Sequence, residues 1–293
     1  MVKLTIFTPT YNRAYTLPDL YGSLCKQTCQ DFEWLVVDDG STDGSDELVR
    51  AWVKEDKIDI RYFYQENAGK MMAHNRAVEE AKGQLFMCLD SDDYLCSERV
   101  VEDCLRFWED NVHSDKERND ICGFIAYKRF DGIKCLFPKD VKICHFQELY
   151  DRGFKGETSL VLKRDILSRY PYPYYEGEKF VTDVFVYDQI DQEYRFLLFP
   201  YAVQQCRYYE DGYTNHYLKL LFANPKGFRA YHNQYVRFRK KGYQKSVICY
   251  IALSLRIRDG KMLKEAASKS LTILLFPLGI LKFFYDEYSL SRI

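Results

Sequence analysis

The chain has 293 residues, 47% hydrophobic and 29% charged, an ordinary globular balance with enough length to bury a large core. A formal net charge of -1 provides no global basic field, which argues against nucleic acid as a partner and leaves only local patches for anions. No uninterrupted apolar run is long enough to predict a membrane-spanning helix, and ten cysteines without a CxxC pair fit a reduced, cytoplasmic chain with no secretory signal ahead of Lys3-Leu4-Thr5-Ile6.

The first hundred residues alternate strand and helix. Leu4-Thr5-Ile6-Phe7-Thr8 is an apolar, β-branched run ended by Pro9, and Leu17, Leu20, Tyr21 and Leu24 mark a helix over about Leu17 to Cys29. Glu33 to Val37 reads as the second strand, ended by Asp38-Asp39-Gly40, and Ser45 is positioned to cap a helix carrying Leu48, Val49, Trp52 and Val53. Ile58 to Phe63 is the third strand, Met71 to Ala81 a helix, Leu85 to Leu89 the fourth strand, and Glu98 to Asp110 a further helix. This rhythm predicts a parallel sheet covered by helices, in which ligands bind outside the carboxyl ends of the strands. Four polar clusters fall at those ends: Pro9 to Arg13, Asp38 to Asp43, Gln65 to Lys70 and Asp90 to Asp93. Strand-like segments recur at Ile121 to Lys128, Ser159 to Leu162 and Phe196 to Phe199, the proline-rich Tyr170 to Tyr175 reads as irregular, and the pattern is helical after about Tyr213.

The Asp90-Ser91-Asp92-Asp93 cluster concentrates negative charge where a buried strand emerges. Close carboxylates are tolerated when a cation sits among them, and Mg²⁺ or Mn²⁺ suits a few carboxylates with phosphate oxygens and water. On an extended chain Asp90 and Asp92 would flank one phosphate pair; the alternative is that Asp92 or Asp93 simply caps a following turn. The turn at Asp38 to Asp43 offers a carboxylate to a base N–H, or is only turn chemistry. Arg13, Lys70, His74 and Arg76 are the nearby cations, Arg13 and Lys70 being the stronger phosphate candidates. Neither GxGxxG nor GxxxxGK[ST] is present, which argues against a nicotinamide dehydrogenase and a P-loop enzyme.

Four motifs in register resemble the family 2 glycosyltransferases: Thr8-Pro9-Thr10-Tyr11-Asn12-Arg13, Val36-Val37-Asp38-Asp39-Gly40-Ser41-Thr42-Asp43, Asn67-Ala68-Gly69-Lys70 with Ala73-His74-Asn75, and Asp90-Ser91-Asp92-Asp93. The resemblance covers about the first 110 residues. It implies a GT-A fold, a Rossmann-like and mostly parallel α/β sheet flanked by helices. Residues 1–110 would form its nucleotide-sugar-binding half, 111–212 its acceptor-binding half and 213–293 a helical C-terminal region. Pro9, Tyr11 and Arg13 would line the nucleotide pocket and Asp39 would bond the uracil of a UDP-sugar. Asn67, Gly69, Lys70 and Asn75 would border base, ribose and diphosphate. Asp90, with Ser91, would reach ribose or donor sugar, and Asp92 would hold Mn²⁺ or Mg²⁺. Where the family has two adjacent glycines and Ala-Arg-Asn, this chain has Ala68-Gly69 and Ala73-His74-Asn75, which weakens His74 as a phosphate ligand.

The resemblance further implies inverting transfer to a glycan or lipid-linked acceptor in cell-surface polysaccharide assembly, which needs a carboxylate base for the acceptor hydroxyl. Glu176 to Asp183 resembles the stretch bearing it: Asp183 is the candidate base, Glu178 the next and Asp188 a weaker third, while an acid at a helix N-terminus would also satisfy the helix dipole. Arg207 to Thr214 resembles the strand and turn closing the catalytic domain, and His216 beyond it is a possible further metal ligand. Leu271 to Tyr285, with Lys261, Lys264, Lys269 and Lys282 nearby, fits either a packed helix or peripheral contact with a membrane at its inner, cytoplasmic face. The competing readings are a non-catalytic nucleotide-sugar-binding scaffold, which would lose the base or metal carboxylates, and a nucleotidyltransferase, which would carry a glycine-rich loop after the first strand.

Overall fold

The β-α repeat read from the apolar runs is present, and its strand ends line up. The computed structural model describes residues 2–114, 119–130, 136–207, 217–258 and 260–292. Four parallel strands begin the sheet: β1 (Leu4–Thr10), β2 (Phe32–Asp38), β3 (Ile60–Tyr64) and β4 (Leu85–Cys88). Helices α1 (Leu17–Cys25), α2 (Ser45–Glu55) and α3 (Lys70–Glu80) alternate with them. In register, Thr10 lies opposite Asp38, and Asp38 opposite Tyr64. The loops that follow therefore open at one edge, outside the carboxyl ends of the strands.

Beyond β4 the sheet is mixed. The strands β5 (Tyr94–Leu95), β6 (Ile121–Arg129), β7 (Ile143–Cys144), β8 (Thr158–Lys163) and β9 (Arg195–Gln205) complete the order β3-β2-β1-β4-β8-β6-β9-β5, with β7 also on β9. β8 is antiparallel to both β4 and β6, so two reversals return β6 to the direction of β4, and β9 runs parallel to β6. Lys128, Gln204 and Cys206 thus emerge at the same edge as Asp90. Helices α4 (Val100–Asn111), α5 (Phe146–Asp151), α6 (Arg164–Leu167) and α7 (Val184–Ile190) follow in chain order among the strands. Leu4, Ile6, Trp34, Val36, Leu85, Met87, Phe124 and Val161 form the centre of the core. Each contributes about 1.5–3 kcal/mol by leaving water.

Three departures from the sequence reading have physical causes. Helix α1 stops at Cys25 rather than Cys29, because Gln27 and Thr28 turn to bond the carbonyls of Ser97 and Glu98. β9 continues past Phe199 because Pro200 sits at a break in register between Leu198 and Ala202, where no ladder N–H is required of it. Ser45 is the first residue of α2 and not its cap: Gly44 precedes it, and Asp43 Oδ1 takes the Ser45 N–H at 3.1 Å and hydroxyl at 2.6 Å.

The chain divides into two compact units, Met1–Pro171 with Val186–Tyr208 and Tyr172–Phe185 with Tyr209–Ile293. The second contains α8 (Tyr217–Ala223), α9 (Pro225–Arg237), α10 (Tyr243–Arg256), α11 (Met262–Glu265), α12 (Lys269–Leu274) and α13 (Phe276–Leu290). Its core is Val236, Val247 and Ile251, with Leu271, Leu275 and Phe276 packed against them.

Candidate active site

At the carboxyl edge of the first unit, three loops are tied to one another through backbone groups. Asn12 leads this: its N–H donates to Ser41 Oγ at 2.9 Å, and its Oδ1 accepts the Thr42 N–H at 2.8 Å. Asp43 Oδ2 takes the Ala14 N–H at 2.9 Å. Burial alone would raise Asp43, but its bonds from Ser45 and Ala14 outweigh that and hold the carboxyl below its usual value. Asp38 is fully buried and accepts from the Tyr62 hydroxyl at 2.8 Å and the Ser41 N–H at 2.7 Å. The acidic turn is therefore first a brace between the loops after β1 and β2.

Asp39 extends the brace to the third loop. Its Oδ1 accepts from Gln65 Nε2 and the Ala68 N–H, and its Oδ2 from the Gly69 N–H, each at 2.8 Å. Three of a carboxylate's roughly four acceptor positions are thus occupied within the unit, leaving one for a ligand N–H. Gly69 has φ +94°, which a side chain would strain, and this delivers its N–H to Asp39 just ahead of α3. Nearby, Thr10 Oγ1 and Asn67 Oδ1 are buried with no hydrogen-bond partner, as expected where a bound molecule would supply one. Pro9 is buried within β1 opposite Val37, Tyr11 beyond it is 51% exposed, and Asn75 is half-buried on α3.

Asp90 to Asp93 is not extended. The Asp93 N–H closes a tight turn on the Asp90 carbonyl at 3.0 Å, and no helix follows, so neither the alternating nor the capping reading holds. The turn separates its three carboxylates instead. Asp90 pairs with Lys70 Nζ at 2.7 Å and Lys128 Nζ at 3.5 Å. Burial would raise Asp90, but the two ammonium groups outweigh it and hold the carboxyl well below its usual range. Asp93 lies 3.6 Å from Lys128 and accepts the Cys206 thiol at 3.1 Å; burial, with Asp90 adding, pushes it up to about 6. Burial would lower Lys128, yet Asp90 and Asp93 together raise it, so it remains charged.

Asp92 is different. Among the described side chains none forms a hydrogen bond or ion pair with it, and burial and the Asp90 charge raise its carboxyl, while Arg13 and Lys70 pull it back only in part. Ser91 beside it is buried. Among the described residues no group of three or more His, Cys, Asp and Glu could hold a metal by itself. A cation that takes one carboxylate and completes its shell with phosphate oxygens and water nevertheless fits Asp92, the one acid of the turn not ion-paired with a lysine among the described residues.

His74 lies buried between Phe7 and Phe86, with ring centroids at 5.7 Å and 5.4 Å, and burial followed by the Lys70 charge lowers it to about 3. A neutral ring in that setting packs; it does not bind phosphate. Lys128 and Cys206, which hold the turn, were missed by sequence reasoning. The signal was a lysine ending the apolar run of β6, and its partner Asp90 is 38 positions away.

In the second unit, Asp183 immediately precedes α7, and its carbonyl accepts the Tyr172 hydroxyl at 3.0 Å. Glu178, the alternative base, is engaged elsewhere: its two oxygens accept the N–H groups of Lys226 and Gly227 at 2.7 and 2.8 Å, at the start of α9. It caps that helix. Tyr208 to Thr214 and His216 lie outside the described residues.

Comparison with known proteins bears on the family and the fold. The family model described as Glycosyl transferase family 2 matches residues 5–129. An uncharacterized glycosyltransferase of Haemophilus influenzae is 31% identical over 188 residues, 62% of this chain and 72% of that protein. The putative teichuronic acid biosynthesis glycosyltransferase TuaG of Bacillus subtilis is 34% identical over 90 residues, 31% of this chain and 36% of that protein. The chain spans no more than 24% of the length of its Rickettsia relatives. The crystal structure of S. aureus TarS 1-349 in complex with UDP-GlcNAc superposes with a TM-score of 0.61 at 16% identity, over 97% of this chain and 89% of that one, a likeness of fold.

Proposed function

The chain belongs to glycosyltransferase family 2, and on that premise we propose that it moves a sugar from a UDP-sugar, with inversion, onto a glycan or lipid-linked acceptor of a cell-surface polysaccharide. The observation that carries this reading is the divided turn, with Asp90 held between two lysines and Asp92 left for a cation. The name of TuaG supports the polymer class, and the UDP-GlcNAc bound by TarS supports the donor class.

Asp39 accepts the base N–H with its remaining lone pair, helped by Asn67, while Pro9, Tyr11 and Arg13 border the nucleotide. Gly69, Lys70 and Asn75 border ribose and diphosphate, Lys70 supplying charge to the phosphate oxygens. Asp90, with Ser91, faces ribose or donor sugar. Asp92 would hold Mn²⁺ or Mg²⁺, which when bound would supply Lewis-acid stabilisation of the departing diphosphate. Asp183 takes the proton of the acceptor hydroxyl as that oxygen attacks the anomeric carbon, general-base catalysis worth about 10²–10⁴-fold. The protein works in the cytoplasm, at the inner face of the membrane where a lipid-linked acceptor would be met.

The test is UDP release from a panel of UDP-sugars with Mn²⁺, together with UDP titration of Asp92→Ala. Release with at least one donor, and loss of the Mn²⁺-dependent gain in UDP affinity in the variant, is the expected pair of results. Tight UDP binding without turnover on any donor would favour a nucleotide-sugar-binding scaffold, and an undiminished Mn²⁺ effect in Asp92→Ala would move the metal elsewhere.

A further inference from the structure

Helix α13 is amphipathic in the wrong sense for a surface helix, which normally turns its charges outward. Its inward face is fixed by Gly279: a Cβ there would stand 2.3 Å from Ile251 Cγ2, so only glycine lets α13 press this closely on α10. On that side Asp286 is buried and bonded to Lys282, and Glu287 pairs with Arg256 at 2.7 Å. The outward face carries Leu278, Leu281, Phe284, Tyr285 and Tyr288, at the three- and four-residue spacing of one helical side. Leu281 is 65%, Phe284 63% and Tyr285 66% exposed, and Leu274 at the end of α12 is 71% exposed. A contiguous apolar face of this kind marks a contact surface.

The charges around it select the contact. Every acid between 261 and 292 is already paired with a base: Glu265 with Arg229 at 3.0 Å, Asp286 with Lys282, and Glu287 with Arg256. Lys264 and Lys269 remain exposed at one end, and exposed Arg292 lies over the Tyr288 ring at 4.4 Å at the other. The rim is thus cationic and the face apolar and aromatic, the composition suited to the boundary between headgroups and acyl chains. No described helix is long and apolar enough to cross a membrane, so the helix would lie in the interface plane.

We infer that α12 and α13 dock on an anionic lipid bilayer, with Leu278, Leu281 and Phe284 in the acyl boundary and Lys264, Lys269 and Arg292 toward the phosphates. This deepens the membrane placement proposed above, and it is independent of sugar transfer because it is read without substrate. The experiment is co-sedimentation of the 293-residue chain with vesicles of phosphatidylcholine, alone or mixed with phosphatidylglycerol. Binding to the mixed vesicles and not to the neutral ones is expected. L281D/F284D, which adds charge to the apolar face, should weaken it by at least about tenfold. K264E/K269E, which disturbs no packing, should weaken it roughly fivefold or more per lysine. Absence of binding to anionic vesicles, or wild-type binding by K264E/K269E, overturns the inference. So does a self-associated chain that ignores vesicles and that L281D/F284D dissociates, since the face would then belong to a second copy. Vesicle failure with UDP release intact would leave the transfer reading standing.

Discussion

Without Lys128, the half-buried Asp90 and the buried Asp93 would share the turn with Lys70 and the Cys206 thiol as their compensation among the described residues. Removing one partner of a buried ion pair costs more than the pair contributes, because a desolvated charge is left behind. Lys128→Met should therefore lower stability by about 3 kcal/mol in urea unfolding. An unchanged midpoint would mean that Asp93, already pushed up to about 6, had taken up a proton and relieved the site. The acidic cluster was legible in the sequence because three aspartates at a strand end have few explanations, but its folding into a turn was not, since the sequence reading had Asp90 and Asp92 alternate along an extended chain. Nor was its compensating lysine, since β6 reaches Asp90 only after two reversals of strand direction. For the same reason Asp39 was readable as an acceptor but not as the brace of the Ala68 and Gly69 amides.

Among elements, the latch at the start of α9 shows how a functional candidate can be structural. Asn224 precedes Pro225, which has no N–H, and turns its Oδ1 to the Lys179 and Phe180 amides at 2.8 and 3.0 Å. The cap that α9 would ordinarily take from its own N-cap residue comes from Glu178 instead. Burial raises the Glu178 carboxyl, and the two amides only partly offset this. Glu178→Ala should cost about 1 kcal/mol, seen as a lowered melting temperature, and keep transfer within a few-fold of the parent. Loss of transfer by a hundredfold at unchanged stability would restore Glu178 as a base. The sequence marked the region after about Tyr213 as helical but gave neither the bounds of α9 nor its cap, because the capping carboxylate is 48 residues away in the chain. The strand-like segment at Phe196 to Phe199 was likewise only part of β9, which runs on through Pro200 because the change of register against β6 gives that proline a position where it can stay.

Across the whole molecule, the candidate residues divide by unit. Pro9, Tyr11, Arg13, Asp39, Asn67, Gly69, Lys70, Asn75 and the Asp90–Asp93 turn all belong to the first, and Asp183 to the second. The first set is held by its own braces, from Asn12–Ser41 through Asp39–Gly69 to Lys70–Asp90, none of which uses a residue of the second unit. Donor binding and proton removal should therefore separate under mutation. Asp183→Asn is expected to keep UDP affinity within about twofold while lowering transfer by about 10²–10⁴, the range for loss of a general base. UDP titration and donor turnover on the same preparation read the two effects. Because the amide keeps the carboxylate's shape, a drop in both together would mean that Asp183 serves the fold or the donor and not the acceptor proton. Near-normal turnover would move the base to another residue and leave the nucleotide half of the reading intact.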